Sequence, residues 1–232
     1  MDTKELRIDP TGKFFKASEQ LLYPIRSTPF PITKKLKSMG GGKVDVVKEA
    51  ANQSPTLVLV TSNRLMAHEM INSWRNPFAQ EFPNLTVYEV NLISLAPAVC
   101  LYITSKNQIE LVQKVGLWFL GPWIRYQQRK LIEEERWKSL LYYNSIRWVK
   151  KWRFTLEMKN MLVGYAFLLD QDGLIRWRAV GKALPEEIES MLKHTRTLLK
   201  VKRPNTKTTV LVPTFLLPAL ELTDSCLRRK LA

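Results

Sequence analysis

The stretch that decides the fold reads Val163-Gly-Tyr-Ala-Phe-Leu-Leu-Asp-Gln-Asp-Gly-Leu-Ile-Arg-Trp-Arg-Ala-Val-Gly181. Apolar residues alternate on either side of Asp170-Gln-Asp-Gly173, a pattern typical of two β-strands joined by a tight turn. Glycine tolerates the positive φ that such a turn requires, and the aspartates can accept hydrogen bonds from its amides. The stretch therefore predicts a β-hairpin that ends at Gly181. The alternating residues are Tyr165, Phe167 and Leu169 in the first strand, and Ile175, Trp177 and Ala179 in the second.

A helix is predicted directly after this hairpin. Pro185 suits the first turn of a helix, and Glu186 and Glu187 would lie at the positive end of its dipole. Mostly apolar residues then recur at helical spacing, which gives the helix one face that can pack on a sheet. These residues are Ile188, Met191, Leu192, Thr195 and Leu198 or Leu199.

An earlier part of the chain predicts a β-α-β unit. The β-branched run Thr56–Thr61 is typical of a buried strand, and Leu85–Ile93 has the composition of a second one. Apolar residues between them recur at helical spacing, and Pro77 is expected to end or kink that helix. The order β-α-β and then β-β-α is the core of a thioredoxin-like domain. We therefore predict an α/β fold with a mixed sheet of this type.

The residues do not support the redox chemistry of that fold. The dithiol of such enzymes lies where the first strand turns into its helix, because the helix N-terminus lowers the thiol pKa. Here the turn is Thr61-Ser-Asn-Arg-Leu65, which has no sulfur, and Lys159-Asn-Met-Leu162 stands where a proline usually precedes the next strand. Cys100 lies in an apolar setting, typical of a buried thiol. We expect no catalytic residues and no enzyme activity.

A metal or cofactor site is also not expected. Two cysteines and two histidines, His68 and His194, are too few for a disulfide framework or a zinc centre. Both histidines fall in predicted helices without partners nearby, so we assign them no functional role.

The segment 106–153 is unusual in composition, and we interpret it as a basic, tryptophan-rich helical insertion. It holds five of the seven tryptophans, and eleven basic residues against four glutamates. Any single tryptophan is more simply explained as core, but the set interleaved with arginine and lysine favours a surface that binds a partner or a membrane. The predicted contact residues are Trp118, Trp123, Arg125, Arg129, Arg147, Trp148, Lys150, Lys151 and Trp152.

The rest of the 232 residues divides into terminal segments around this domain. The composition of residues 1–55 predicts an irregular N-terminal arm, in which Gly40-Gly41-Gly42 acts as a flexible linker. Residues 56–199 are expected to form the thioredoxin-like domain. Residues 200–232 form a tail to which we assign no function.

The longest uncharged run, Val90–Ser105, has 16 residues and contains Pro97, so no membrane-spanning helix is expected. Asp2, Glu5 and Asp9 do not suit a transit peptide, so an import signal is expected to be cryptic or to precede residue 1.

The net charge limits the class of partner. The chain has 36 Lys and Arg against 21 Asp and Glu, a formal charge of +15. Such a surface attracts nucleic acid, anionic lipid or acidic protein, and charge alone does not choose among them.

Several short motifs resemble those of the mitochondrial ATP synthase assembly factors first defined in yeast. The resemblance covers about residues 14–199, with weaker support from Leu57–Ser62 and the helix through Trp74. The residues that carry it are Val163-Gly164-Tyr165, Leu169-Asp170, Gly173-Leu174-Ile175-Arg176-Trp177, Gly181 and Pro185-Glu186-Glu187.

This resemblance implies a thioredoxin-like chaperone without redox cysteines. It would lie peripherally on the matrix side of the mitochondrial inner membrane, against anionic lipid. There it would help subunit a (subunit 6) of the membrane-embedded Fo sector to fold and to associate with the c ring. No small-molecule substrate and no cofactor are implied.

Two other classes of protein remain as alternatives. A basic RNA-binding protein could use the aromatic and basic residues of 106–153 to stack bases and hold phosphates, although no recognised nucleic-acid motif is present. A thiol enzyme is disfavoured by the missing dithiol. The expected order is therefore assembly factor first and RNA-binding protein second.

Overall fold

The computed structural model describes residues 13, 15–31, 36–62, 64–92, 126, 129–130, 132–143 and 146–200; for 64–66 and 146–150 it describes the backbone alone. The chain divides into two units, Met1–Val201 and Lys202–Ala232, and the second lies outside the described residues. The described strands are β1 (Leu36–Ser38), β2 (Lys43–Val44), β3 (Thr56–Thr61), β4 (Val87–Leu92), β5 (Leu140–Tyr143), β6 (Tyr165–Leu169) and β7 (Ile175–Val180). The described α-helices are α1 (Val46–Asn52), α2 (Arg64–Glu81), α3 (Ile146–Thr155) and α4 (Pro185–Lys200).

The strands form one mixed sheet in the order β2-β1-β5-β4-β3-β6-β7. Strand β3 pairs in parallel with β4 and antiparallel with β6, and β4 pairs in parallel with β5. The unit β3-α2-β4 is followed by β6-β7-α4, which is the β-α-β and β-β-α order expected from the sequence. The thioredoxin-like α/β prediction is therefore confirmed.

Helices cover both faces of this sheet. On one face, α2 and α4 pack through residues such as Trp74 and Met191 against Leu57, Leu59 and Trp177. On the other face, α1 and α3 pack against Val58, Val90 and Phe167. Strand β3 is buried along its whole length, because both of its faces are covered.

The hairpin β6–β7 has the turn chemistry that the sequence predicts. Gly173 has φ +72°, and Oδ1 of Asp170 accepts from the amides of Asp172 and Leu174 at 3.0 Å each. A Cβ at Gly173 would lie 2.7 Å from a methyl carbon of Val47, so the close approach of α1 also requires glycine here.

One detail of the hairpin differs from strict alternation. The pairing register shifts between Leu168 and Leu169, so that Trp177 pairs with Leu168 while Ile175 pairs with Leu169. Ile175 therefore joins the core beneath α1 and α3, whereas Trp177 and Ala179 join the core beneath α2 and α4. A register shift of one residue moves the side chains beyond it to the opposite face of the sheet.

The described part of 1–55 is more ordered than the sequence predicts. It contributes β1, β2 and α1, and Gly40-Gly41-Gly42 is the turn between β1 and β2 rather than a flexible linker. Gly41 and Gly42 have φ of +91° and +87°, values that suit glycine in a hairpin turn. Asp45 caps the N-terminus of α1, because its side chain accepts a hydrogen bond from the Lys48 amide at 3.3 Å.

Two further expectations need correction. The segment 106–153 is not purely helical, because it supplies β5, which lies between β4 and β1 in the sheet. The helix that follows β3 continues through Pro77 to Glu81, so of the two outcomes expected for this proline, a helix end or a kink, the helix end is wrong. Within the described residues, no helix combines the length and apolarity needed to cross a bilayer.

An N-terminal strap, which we define as residues 15–31, runs along the outer edge of β7. Backbone hydrogen bonds join Ser18 to Arg178 at 3.0 Å and Leu22 to Arg176 at 2.8 Å. Near the β6–β7 turn, the Ile175 amide donates to the Thr28 carbonyl at 2.9 Å. These bonds occur at intervals of several residues, so the strap covers the sheet edge without forming a regular strand.

Candidate functional site

The Arg-Trp pair of the hairpin motif holds the N-terminal strap. Nε of Arg176 donates to the Leu22 carbonyl at 2.6 Å, and its Nη1 donates to Oδ2 of Asp170 at 3.0 Å. The indole N–H of Trp177 donates to the Ser18 carbonyl at 2.8 Å. These side chains are occupied by contacts within the chain and are not available as a binding site.

The glutamate pair at the start of α4 includes a second contact to the N-terminal region. Glu187 is buried, and its Oε1 accepts from the Ala17 amide at 2.9 Å. Its Oε2 accepts from the Leu184 amide at 3.1 Å and pairs with the ammonium group of Lys13. The motif residues Arg176, Trp177 and Glu187 thus share one role, which is to fix the strap.

The position of the redox dithiol is occupied by a hydroxyl group. Ser62 follows β3 at the start of the turn into α2, and its Oγ donates to the carbonyl of Met161 in the segment before β6. Gly164 precedes β6 directly, and a Cβ there would lie 3.1 Å from Cδ1 of Ile71. Cys100 and Cys226 lie outside the described residues. The arrangement at Ser62 can join two loops but cannot exchange thiols.

A buried ionic cluster joins three elements near β4. Glu89 is 2% exposed; its Oε1 accepts from Nη2 of Arg136 at 2.6 Å and lies 3.0 Å from Nε of Arg75. Nη2 of Arg136 also donates to the Asn72 side chain at 3.1 Å. Because Arg136 lies in the 3₁₀ helix Glu134–Trp137, the cluster ties that part of the insertion to β4 and α2.

A cleft of about 510 Å³ opens beside this cluster. Burial, with a further contribution from the charge of Glu49, raises the pKa of Tyr88 in its wall to about 12. Two acidic and two basic side chains line the cleft, which gives it no preference for a ligand of one charge. These side chains are Glu49, Arg75, Glu135 and Lys138.

The predicted contact residues do not form one described surface. Trp118, Trp123 and Arg125 lie outside the described residues, and Arg147, Trp148 and Lys150 belong to α3, where only the backbone is described. Two of the predicted bases are exposed. These are Lys151 and Arg129, whose guanidinium lies 5.0 Å from the ring centroid of Trp137.

Trp152 contradicts its predicted role as a contact residue. Its side chain is 0% exposed. The ring lies edge-on to Phe30 at 5.3 Å and stacks on Tyr143 at 5.8 Å between centroids. Trp152 and Leu156 are four residues apart, so both face the sheet and anchor α3. The prediction for Trp152 is therefore wrong, because this indole is part of the core.

Among the described side chains of α3, Phe154 is an exposed aromatic residue that the sequence analysis missed. Its side chain is 90% exposed, and Leu162 after the helix is 46% exposed. The sequence did contain a signal for this exposure. Trp152 and Leu156 are four residues apart and share one face of a helix with 3.6 residues per turn, so Phe154, midway between them, lies on the opposite face. We define the α3 tip as these two apolar residues with three exposed bases: Lys151, Arg153, Phe154, Lys159 and Leu162.

Hydrogen bonds fix the loop that carries the α3 tip. The Met158 amide donates to the Arg153 carbonyl at 2.8 Å, and the Leu162 amide donates to Oδ1 of Asn160 at 2.8 Å. The Tyr165 hydroxyl donates to the Asn160 carbonyl at 2.9 Å. Burial raises the pKa of Tyr165, while the hydrogen bond that its hydroxyl accepts from the Asn160 amide at 3.0 Å and the charge of Arg153 oppose the shift.

Comparison with solved structures finds similar chains of low sequence identity. One is BsSco, a member of the Sco family of cytochrome c oxidase assembly proteins, with a TM-score of 0.46, 9% identity, and coverage of 76% of this chain and 96% of that one. Another is a thiol:disulfide interchange protein of the thioredoxin family from Chlorobium tepidum TLS. It has a TM-score of 0.41, 10% identity, and coverage of 73% of this chain and 97% of that one.

Comparison with known sequences identifies the family. The chain is 38% identical over 64 residues to the mitochondrial ATPase complex subunit ATP10 of Saccharomyces cerevisiae. That match covers 27% of this chain and 23% of the length of the yeast protein. The sequence model of the ATP10 protein family matches residues 1–198 of this chain. The chain therefore belongs to the ATP10 protein family.

Proposed function

We propose that this chain is an assembly factor for mitochondrial ATP synthase. The family match over residues 1–198 carries the proposal, together with the yeast relative that is a subunit of the mitochondrial ATPase complex. The hydroxyl of Ser62 at the usual dithiol position supports a binding role rather than thiol exchange.

The client in this proposal is subunit a of the membrane-embedded Fo sector. Polar groups within a newly inserted membrane protein are costly until they find partners. A domain on the matrix side of the inner membrane can bind the loops and helix ends of subunit a until the c ring contacts them. Two basic residues of α3, Arg147 and Lys151, and the indole of Trp148 would serve as protein contacts.

The same proposal places the chain peripherally on an anionic lipid surface. The net charge of +15 and the bases of the insertion favour such a surface. Trp118 and Trp123 would enter the interface, with Arg125 and Arg129 at the head groups. Reversing the charges of Arg125, Arg129, Lys150 and Lys151 should then weaken binding to anionic bilayers.

Deletion of the gene tests the proposed client. Pulse-labelled mitochondrial translation should show a shortened lifetime of subunit a, whereas the catalytic head of the synthase should still assemble. A normal lifetime of subunit a in the deletion strain would contradict the proposal.

A photoreactive residue at position 148 tests for direct contact. We expect a crosslink to newly made subunit a. The matched control is a photoreactive residue at Ile25, which is 94% exposed but lies on the strap, far along the chain from α3. Equal yields from the two positions, or recovery of RNA at position 148, would contradict the assignment.

A further inference from the structure

We propose that the α3 tip also enters the anionic bilayer surface, with Phe154 as its inserted side chain. The inference rests on the proposed peripheral position at a membrane, and it assigns that role to residues outside the predicted contact set. Phe154, Leu162, Arg153 and Lys159 are the new members, and Lys151 was already expected.

The exposure of Phe154 is the first observation. A phenylalanine that is 90% exposed holds almost its entire apolar surface in water. Two residues earlier, Trp152 is 0% exposed and is held between Phe30 and Tyr143. The helix therefore cannot rotate to bury Phe154 without removing Trp152 from the core. An apolar phase outside the protein is needed to take this ring from water.

The charge around Phe154 is the second observation. Residues 146–162 contain five basic residues and one acidic residue, Glu157. Oε2 of Glu157 accepts from Nη1 of Arg178 at 2.5 Å, so the negative charge of this segment is already paired. Arg153 and Lys159 are exposed on either side of Glu157 in the sequence. The α3 tip therefore offers positive charge beside an apolar ring, which complements an anionic bilayer surface.

The fixed conformation of the loop is the third observation. The hydrogen bonds from Met158 to Arg153 and from Leu162 to Asn160 close the turn after α3. The Tyr165 hydroxyl also donates to the Asn160 carbonyl in this turn. Leu162, 46% exposed, is thus carried on an ordered loop. Little conformational entropy is lost when an ordered tip binds a surface.

The shape of the α3 tip suits a fluid bilayer better than a shaped protein partner. A stable protein interface buries roughly 800 Å² on each side and usually has pockets for its anchors. The cleft described above lies beside Arg75 and Tyr88 and is not lined by any residue of the α3 tip. A single projecting ring with cations around it needs no shaped partner in a fluid bilayer interface.

Vesicle flotation with the purified full chain tests the role of Phe154. The vesicles contain phosphatidylcholine alone or with cardiolipin. We expect salt-sensitive binding to the cardiolipin vesicles, roughly tenfold weaker for Phe154→Ala and restored by Phe154→Trp. Ile25→Ala is the matched control, because Ile25 is 94% exposed and is followed by the exposed Arg26. Equal binding by wild type and Phe154→Ala, or equal losses in both alanine variants, would overturn the inference.

A pair of double variants tests the charge. Arg153→Gln with Lys159→Gln should weaken binding by roughly 25-fold, about fivefold for each base. Lys43→Gln with Lys48→Gln removes the same net charge from exposed positions in β2 and α1 and should have a much smaller effect. Equal losses in the two pairs would indicate attraction by net charge alone and would overturn the inference.

Failure of this inference is distinguishable from failure of the proposed function. If wild type does not bind cardiolipin vesicles, or binds single-stranded RNA instead, the membrane role of the α3 tip is excluded. The lifetime of subunit a in the deletion strain is a separate measurement and would still decide the assembly role.

Discussion

Trp152 stacks on Tyr143, with 5.8 Å between ring centroids and 21° between ring planes. This contact joins α3 to the carboxyl end of β5, so two parts of the basic segment support each other. Phe154, two positions later, points to solvent. Neighbouring aromatic residues of one short helix thus have opposite functions, one in stability and one at the surface.

Alanine substitutions should separate these functions. Trp152→Ala removes a fully buried indole and leaves a cavity, so we expect the free energy of unfolding to fall by about 3–5 kcal/mol. Phe154→Ala removes an exposed ring and should change it by less than about 0.5 kcal/mol. Urea denaturation followed by circular dichroism measures both. Similar losses in the two variants would show that α3 is oriented differently.

Removal of Glu187 should release the strap. Glu187→Ala leaves the Ala17 and Leu184 amides without their carboxylate acceptor and Lys13 without its ion pair, so we expect a loss of about 2 kcal/mol. The strap should also become sensitive to limited proteolysis. Glu186→Ala is the control, because Glu186 is exposed. If the two variants resist protease equally, the carboxylate does not hold the strap.

Replacement of Glu89 should be more costly than replacement of a surface glutamate. Glu89→Leu leaves Arg75 and Arg136 facing a buried apolar group, and breaking such a buried pair costs about 3–5 kcal/mol. Glu135→Leu alters an exposed residue of the adjoining 3₁₀ helix and serves as the comparison. Denaturant midpoints measure the difference. An unchanged midpoint in Glu89→Leu would contradict the ionic cluster.

His194 should make stability depend on mildly acidic pH. Burial lowers its pKa below the usual value of about 6.5. The charge of Lys193 adds to this shift, and the hydrogen bond to the Glu19 carbonyl opposes it. Between the two pKa values the unfolded chain binds more protons than the folded chain, so stability rises with pH in this window. The stabilising contribution is fully present above about pH 6.5 and is lost progressively as pH falls below that value.

The variant His194→Gln isolates this effect, because glutamine can still donate to the Glu19 carbonyl. Wild type should lose more stability than the variant when pH is lowered from about 7.5 to about 5.5. Parallel losses in the two proteins would assign the pH dependence to other groups.

The cysteines should be dispensable. Neither Cys100 nor Cys226 is close in sequence to a second thiol, and the turn after β3 carries Ser62. The purified chain should show no disulfide reductase turnover, and Cys100→Ser with Cys226→Ser should retain assembly activity. Restored assembly in a deletion strain is the measurement. Failure of a folded double variant to restore it would implicate a thiol.

Sequence patterns were most informative where local chemistry determines structure. Asp170 and Gly173 predicted the turn, and Pro185 with its two glutamates predicted the start of α4. The face of Trp177 was not predictable in the same way, because it depends on a register shift within β6–β7. An alternating pattern describes the residues of one strand alone. It cannot detect a register shift, which is defined by how two strands pair.

The candidate surface was harder to predict for a similar reason. Tryptophan next to lysine or arginine is equally compatible with a core anchor and a surface contact. The choice at Trp152 was made by Tyr143, which lies in a different element, and by Phe30, which is distant in sequence. The spacing between Trp152 and Leu156 could have identified Phe154, whereas the partners of Glu187 in the N-terminal region had no local signal.

The strap along β7 has a consequence for the order in which the molecule forms. Ser18 binds Trp177, and Glu19 binds His194, across separations of 159 and 175 residues. Contacts of such high contact order form late, because a long loop must close before they are made. The strap is therefore synthesised before the elements that it binds, β7 and α4, and it docks late. Until it docks, the outer edge of β7 is uncovered, and this edge becomes protected only when the whole domain has been completed.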